Sequence, residues 1–226
     1  DAAANGALTC DTPPAGGTDL GVYNVKASPY NAVGDGVNDD TTEIQAAITA
    51  CQDSTRGGEI YFPAGTYNIS AGLVHGNGST SGVGNASTKA VCRFVGAGSG
   101  DDAVSAPGAN VSISVLKWTG ANPGALTYML TFDGPMFATG ATRLKLDANN
   151  NANVVGLDLR QVSYSHFSDI SVVQTGGGPT QGAFAVKIWP QKTFSHYACY
   201  NTIENMRVRV GTNSAGSALW VGGNST

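Results

Sequence analysis

Charge is what this chain most lacks. Asp, Glu, Lys and Arg make up 12% of its 226 residues, about half the ~25% of an ordinary soluble domain. No basic run exceeds two residues, and the net charge is −4 with an isoelectric point near 5.2. That leaves no electrostatic footprint for nucleic acid, so no nucleic-acid partner is expected. Long apolar runs are missing too: nothing approaches the ~20 residues that a helical membrane span needs, so none is expected. No Cys-x-x-Cys or close His pair occurs, so no metal site is expected. The chain opens on Asp1 and not on a Met followed by a signal peptide, which fits a processed or cut chain.

Glycine is abundant instead, with 31 residues among many Ser, Thr and Asn. This composition suits short strands and tight turns and excludes a helical bundle. Four widely spaced cysteines, Cys10, Cys51, Cys92 and Cys199, fit two disulfides in an oxidising compartment, with three connectivities open and buried free thiols as the alternative. Asn-x-Ser/Thr occurs at Asn68, Asn77, Asn85, Asn110 and Asn224, which permits glycosylation. An extracellular location, secreted or on a cell or virion surface, is expected.

Residues 1–21 lack periodicity and read as an extended arm. Over 22–57 a cap loop leads into one short helix. Asp40 and Glu43 have the spacing of a capping box, and Ile44, Ala47, Ile48 and Cys51 fall on one face. Gly57-Gly58 ends it. Beyond, over 58–226, the period changes to two: Ile60 and Phe62, then Tyr67 and Ile69, alternate around Pro63-Ala64-Gly65. Later strand runs superpose. Leu144 and Leu146 match Ile170 and Val172 and then Met206 and Val208, at offsets of 26 and 36 residues. A second series runs in step, with Leu157 and Leu159 matching Val186 and Ile188 and then Leu219 and Val221. Two strand types recurring in a fixed order predict the coils of a parallel β-solenoid, whose apolar side chains stack into ladders. An antiparallel sandwich explains the alternation but not the order.

The run Gly34-Asp35-Gly36, Asp39-Asp40-Thr41, Ile44-Gln45-Ala46-Ala47-Ile48, Gly57-Gly58 and Tyr61-Phe62-Pro63-Ala64-Gly65-Thr66-Tyr67 resembles the entrance to the pectate-lyase-like right-handed β-helices. That superfamily includes phage tailspikes, fungal exo-β-1,3-glucanases, polygalacturonases and alginate epimerases. The resemblance is tight over about residues 22–70 and departs at Ser28-Pro29-Tyr30-Asn31, where the family has a shorter turn. It implies an all-β fold, a single-stranded right-handed parallel β-helix capped by one short N-terminal α-helix. In that fold Cys51 and Cys92 lie close and form the expected disulfide. About seven coils follow the cap, at ~24 residues each, fewer than a catalytic member of the superfamily has, so truncation at the C-terminus is expected.

Function is expected on the outward faces. With Leu144 and Leu146 pointing in, Arg143, Lys145 and Asp147 point out, followed by Asp169, Ser171 and Val173 and then Asn205, Arg207 and Arg209. Lys145, Arg207 and Arg209 would bind an anionic polysaccharide, or form surface ladders with neighbouring acids. On the second series Asp158, Lys187 and Trp220 point out together, as do Arg160 and Trp189, with Trp189, Trp220 and Tyr197 as stacking platforms for sugar rings or surfaces covered by a loop or subunit. For chemistry, Asp147, Asp169 and Glu204 are the candidate carboxylates, paired as Asp169–Glu204 across adjacent coils or Asp147–Asp158 around a corner. A lyase would need a basic group and a cation such as Ca²⁺; no other cofactor is expected. Asp35, Asp39 and Asp40 read as capping and loop-bonding residues. His75, His166 and His196 are scattered and read as structural or solvated. The paired Asp residues beside Gly-His-Gly of polygalacturonases and the Asp-Pro-His of epimerases are absent, which argues against those two activities. The expectation is an extracellular polysaccharide-binding and polysaccharide-cleaving protein, hydrolase or lyase. The rival is a structural or adhesive β-helix, and a homotrimer would favour a spike or fibre.

Overall fold

The computed structural model describes residues 21–76, 89–100, 112–174, 185–189, 201–210 and 219–221. The N-terminal arm, Cys10, Cys199, Tyr197, His196 and the sequons at Asn77, Asn85, Asn110 and Asn224 lie outside them. Strands β1 (Val22–Asn24) and β2 (Asp35–Asp39) precede helix α1 (Thr41–Gln52). After it come β3 (Gly58–Phe62), β4 (Gly65–Ile69), β5 (Leu73–Gly76), β6 (Cys92–Gly96), β7 (Ser114–Trp118), β8 (Thr127–Phe137) and β9 (Gly140–Asp147). The rest are β10 (Val154–Ser163), β11 (His166–Gln174), β12 (Val186–Trp189), β13 (Thr202–Glu204), β14 (Arg207–Val210) and β15 (Leu219–Val221).

Every pairing among the described strands is parallel, so the antiparallel sandwich is excluded. The registers are those of the two repeating series. Leu144 and Leu146 lie beside Ile170 and Val172, and Val172 lies beside Val208. Leu157 and Leu159 lie beside Val186 and Ile188, which lie beside Leu219 and Val221. The strands form two sheets. The five-stranded sheet runs β15-β12-β10-β8-β5, and the ten-stranded sheet holds all the others.

The larger sheet has two legs. One contains β1, β3 and β6, and the other contains β2, β4 and β7; β9 pairs with β6 through its first residues and with β7 through its last. β11 likewise spans β13 and β14. The bend falls where Arg143, Asp169 and Asn205, in register on successive coils, adopt φ of 57°, 51° and 49°. A left-handed residue there turns the chain without breaking the ladder on either side.

The interior is apolar and cross-linked by aromatic contacts. Ring centroids of Phe62 and Phe94, Phe94 and Phe132, and Phe132 and Phe167 lie 6.2, 5.1 and 5.3 Å apart. Helix α1 buries Ile44, Ala47, Ile48 and Cys51 against β1, β3, β5 and β6, and Cys51 is disulfide-bonded to Cys92. Beside this bond His75 is fully buried. Its Nε2 accepts the Cys92 N–H at 3.3 Å, so Nδ1 carries the proton and donates to Gln52 Oε1 at 3.2 Å. Burial lowers its pKa from 6.5 to about 4.

The helix start departs from the capping box. Asp40 precedes the helix but makes no side-chain cap bond. Its buried carboxylate turns back to accept Val33 N–H at 2.6 Å and Gly34 N–H at 3.1 Å. Asp39 takes the helix end, accepting from the backbone N–H and hydroxyl of Thr41 at 3.0 and 2.5 Å. Asp35 accepts the N–H groups of Val37 and Asn38. All three aspartates are thus used by the cap and its loop. The Ser28–Asn31 departure is a tight turn in which the N–H groups of Tyr30 and Asn31 both donate to Ala27 O.

Candidate functional site

Alternation within each strand decides what the outer surface carries. On the second leg the outward columns are Val115–Lys145–Ser171–Arg207 and Lys117–Asp147–Val173–Arg209. Arg207 and Arg209 are exposed and Lys145 and Asp147 half-exposed. Asp147 accepts Asn149 N–H at 2.8 Å, and the Arg207 guanidinium donates to Gly100 O at 2.9 Å. Lys117, Lys145, Arg207 and Arg209 thus share these columns with Asp147, while Val115, Ser171 and Val173 in the same columns are buried.

On the first leg, β6, β9, β11 and β13 place Arg93, Gly140, His166 and Thr202 side by side. The parallel column two residues on is Val95, Thr142, Ser168 and Glu204. Gly140 carries no side chain, so a slot opens between Arg93 and His166; the resulting groove has a volume of ≈ 320 Å³. Arg93 is exposed and makes no ion pair with another described residue. His166 Nε2 lies 2.7 Å from Glu204 Oε1, both groups more than half exposed. A carboxylate only accepts, so Nε2 donates and Nδ1 is left for another group. The hydroxyls of Thr142 and Ser168 lie 2.9 Å apart at the end of the slot.

Sequence reasoning missed Arg93 and His166. The signal was present: Gly140-Ala141-Thr142, His166-Phe167-Ser168 and Thr202-Ile203-Glu204 repeat at the same offsets of 26 and 36 residues as the leucine columns. The register also defines the carboxylates. Glu204 lies beside Ser168 and Asp169 beside Asn205, so Asp169 and Glu204 sit on adjacent strands one residue out of step. Asp147 and Asp158 each have other partners.

The second sheet differs from expectation. Asp158 is fully buried and its Oδ2 lies 2.5 Å from Arg160 Nε, while Arg160 Nη1 is 3.8 Å from buried Asp133. Lys187 donates to Tyr128 Oη at 3.3 Å, and both Arg160 and Lys187 lie over the Tyr128 ring. Burial lowers the Lys187 pKa, with nearby Asp158 opposing. Asp158, expected to point outward as a substrate-binding residue, is instead buried and paired with half-buried Arg160. Trp189 and Trp220 extend these columns in register with Arg160 and Lys187, but their side chains lie outside the described residues. A larger hollow over α1 is lined mainly by small and apolar groups, and its Asp53 is bonded to Lys89, so it offers little chemistry.

The comparisons agree with this architecture. Residues 22–132 match the family described as rhamnogalacturonase A/epimerase, pectate lyase-like. Mannuronan C5-epimerase AlgE1 of Azotobacter vinelandii is 42% identical over 82 residues, 36% of this chain and 5% of that protein. Plasmin and fibronectin-binding protein A of Streptococcus pneumoniae (strain ATCC BAA-255 / R6) is 55% identical over 40 residues, 18% of this chain and 6% of the relative. An iota-carrageenase solved with iota-carrageenan fragments superposes with a TM-score of 0.56 at 14% identity, covering 89% of this chain and 39% of that one. The class is that of the β-helix proteins. Residues 22–132 are similar to the pectate-lyase-like family and the fold is that of the β-helices, and the matched stretch spans less than a tenth of either curated relative's length.

Proposed function

We propose that this chain is part of an extracellular enzyme that binds and cleaves an anionic polysaccharide. In this reading residues 22–57 cap a single-stranded right-handed β-helix over 58–226. One observation carries it: Lys117, Lys145, Arg207 and Arg209 lie on the outward columns of the larger sheet, next to a groove with a His–Glu pair. Charge is scarce in this sequence, and here it is concentrated where a chain of acidic sugars can lie along several coils. The relatives named for mannuronan and carrageenan chemistry support the substrate class.

Asp147, Asp169 and Glu204 are the carboxylates of this face, Lys145, Arg207 and Arg209 its substrate-binding cations, and His166 the base held by Glu204. Lys187, Trp189 and Trp220 belong to the other sheet and are secondary candidates for sugar contact. Among the described residues no cluster of three or more His, Cys, Asp or Glu is arranged to hold a metal. Incubation with a panel of bacterial and algal glycans tests the proposal. New reducing ends indicate a hydrolase and unsaturated uronates a lyase, whereas no product from any acidic glycan rejects the enzyme.

A second reading, an adhesive β-helix, is favoured by the similarity to the plasmin and fibronectin-binding protein. It predicts protein binding without glycan turnover. Mass in solution sharpens the choice, since a stable homotrimer fits a spike or fibre and a monomer a secreted enzyme.

A further inference from the structure

We infer that the slot over Gly140 is a binding site for a single acidic sugar unit, with its carboxylate on Arg93 and a ring hydroxyl on His166. This deepens the polysaccharide reading and rests on it. Three observations meet at the slot. First, Gly140 separates Arg93 from His166 in register, which places their backbones two strand spacings, roughly 9.6 Å, apart; a pyranose ring fits between side chains rising from either side. Second, Gly140 is held to glycine by packing, because a Cβ there would lie 2.0 Å from the His166 carbonyl oxygen. The groove lining there is backbone with no side chain of its own. Third, the walls are chemically distinct. Arg93 offers a planar fork of donors suited to a carboxylate. On the opposite side, Glu204 engages Nε2 of His166 and leaves Nδ1 for a hydroxyl. The Thr142 and Ser168 hydroxyls act as donors or acceptors at the end. Glu59, beside Arg93 on β3, also lines the groove but makes no ion pair with it. The groove's ≈ 320 Å³ matches the small end of ligand sites, about 300–1,000 Å³, consistent with one sugar unit.

The test compares a trisaccharide of 1,4-linked uronic acid with its carboxyl-reduced neutral counterpart, using the full chain, calorimetry and amide and imidazole NMR shifts. The acidic form is expected to bind at least about tenfold more tightly and to shift His166, Thr142 and Ser168. Arg93→Met should abolish that preference while leaving neutral binding unchanged, and Arg93→Lys should restore only part of it. Equal binding of the two forms, an unaltered preference in Arg93→Met, or shifts confined to Lys145 and Ser171 would overturn the slot. Conversion of a glycan with such an indifferent slot leaves the enzyme reading standing and this inference fallen. Arg93-dependent binding with no turnover of any glycan does the reverse.

Discussion

The two sheets carry charge on their outward positions in opposite ways. On the larger sheet Lys145, Arg207, Arg209, Arg93 and His166 are reached by solvent; on the smaller one Asp133 and Asp158 are sealed beneath Arg160 and Lys187. Both have the same alternating pattern of residues. Alternation therefore says which side of a strand a residue occupies, while the packing of other parts of the chain decides whether that side meets water. A charge in water is inexpensive and available to a ligand, whereas a covered one needs a partner to be tolerated at all.

The largest test of this contrast is Asp158→Ala. It leaves Arg160 without its nearest carboxylate in a covered site, and a loss of about 3–5 kcal/mol in urea unfolding is expected; a change below 1 kcal/mol would show that the face is open after all. Next comes acidity. His75 is neutral when folded, with its pKa lowered from 6.5 to about 4, so the unfolded chain takes up the proton first. Its stabilising contribution is complete above pH 6.5 and is lost as pH falls towards 4, roughly 3 kcal/mol in all. Unfolding midpoints at pH 7 and pH 4 should differ less in His75→Gln than in the parent. Gly140→Ala is expected to cost about 1–3 kcal/mol through the clash with His166 O and to close the slot. Smallest is Lys145→Ala: stability should stay within about 0.5 kcal/mol, while affinity for an anionic glycan falls and loses part of its salt dependence. Should Lys145→Ala destabilise the fold as strongly as Asp158→Ala, the contrast between the faces collapses.

Much of the coil geometry was legible before any coordinates. The Leu144–Ile170–Met206 and Leu157–Val186–Leu219 columns appear as spaced repeats because each coil must bury its apolar residues on the same neighbours. The candidate face was legible only by halves. Lys145, Arg207 and Arg209 follow from those leucine columns. Arg93 comes from an earlier coil, at a different offset, and the gap between it and His166 is left unfilled by a glycine on the strand between them. Asp158 misled because nothing in its own strand reports the cover over it. At the helix start, Asp40 and Glu43 have capping-box spacing, yet the loop at Val33 and Gly34 captures the Asp40 carboxylate and the neighbouring Asp39 bonds the first turn.

By itself the chain determined the alternation, the two series of coils, the helix at their end and the family of folds, because these depend on local periodicity and on like residues stacking upon like. The tertiary structure alone decided which charges are sealed and which are offered, and that Arg93, Gly140 and His166 form a slot. Those outcomes depend on contacts between distant parts of the chain, where a missing side chain on one coil matters only for what the coils on either side place next to it.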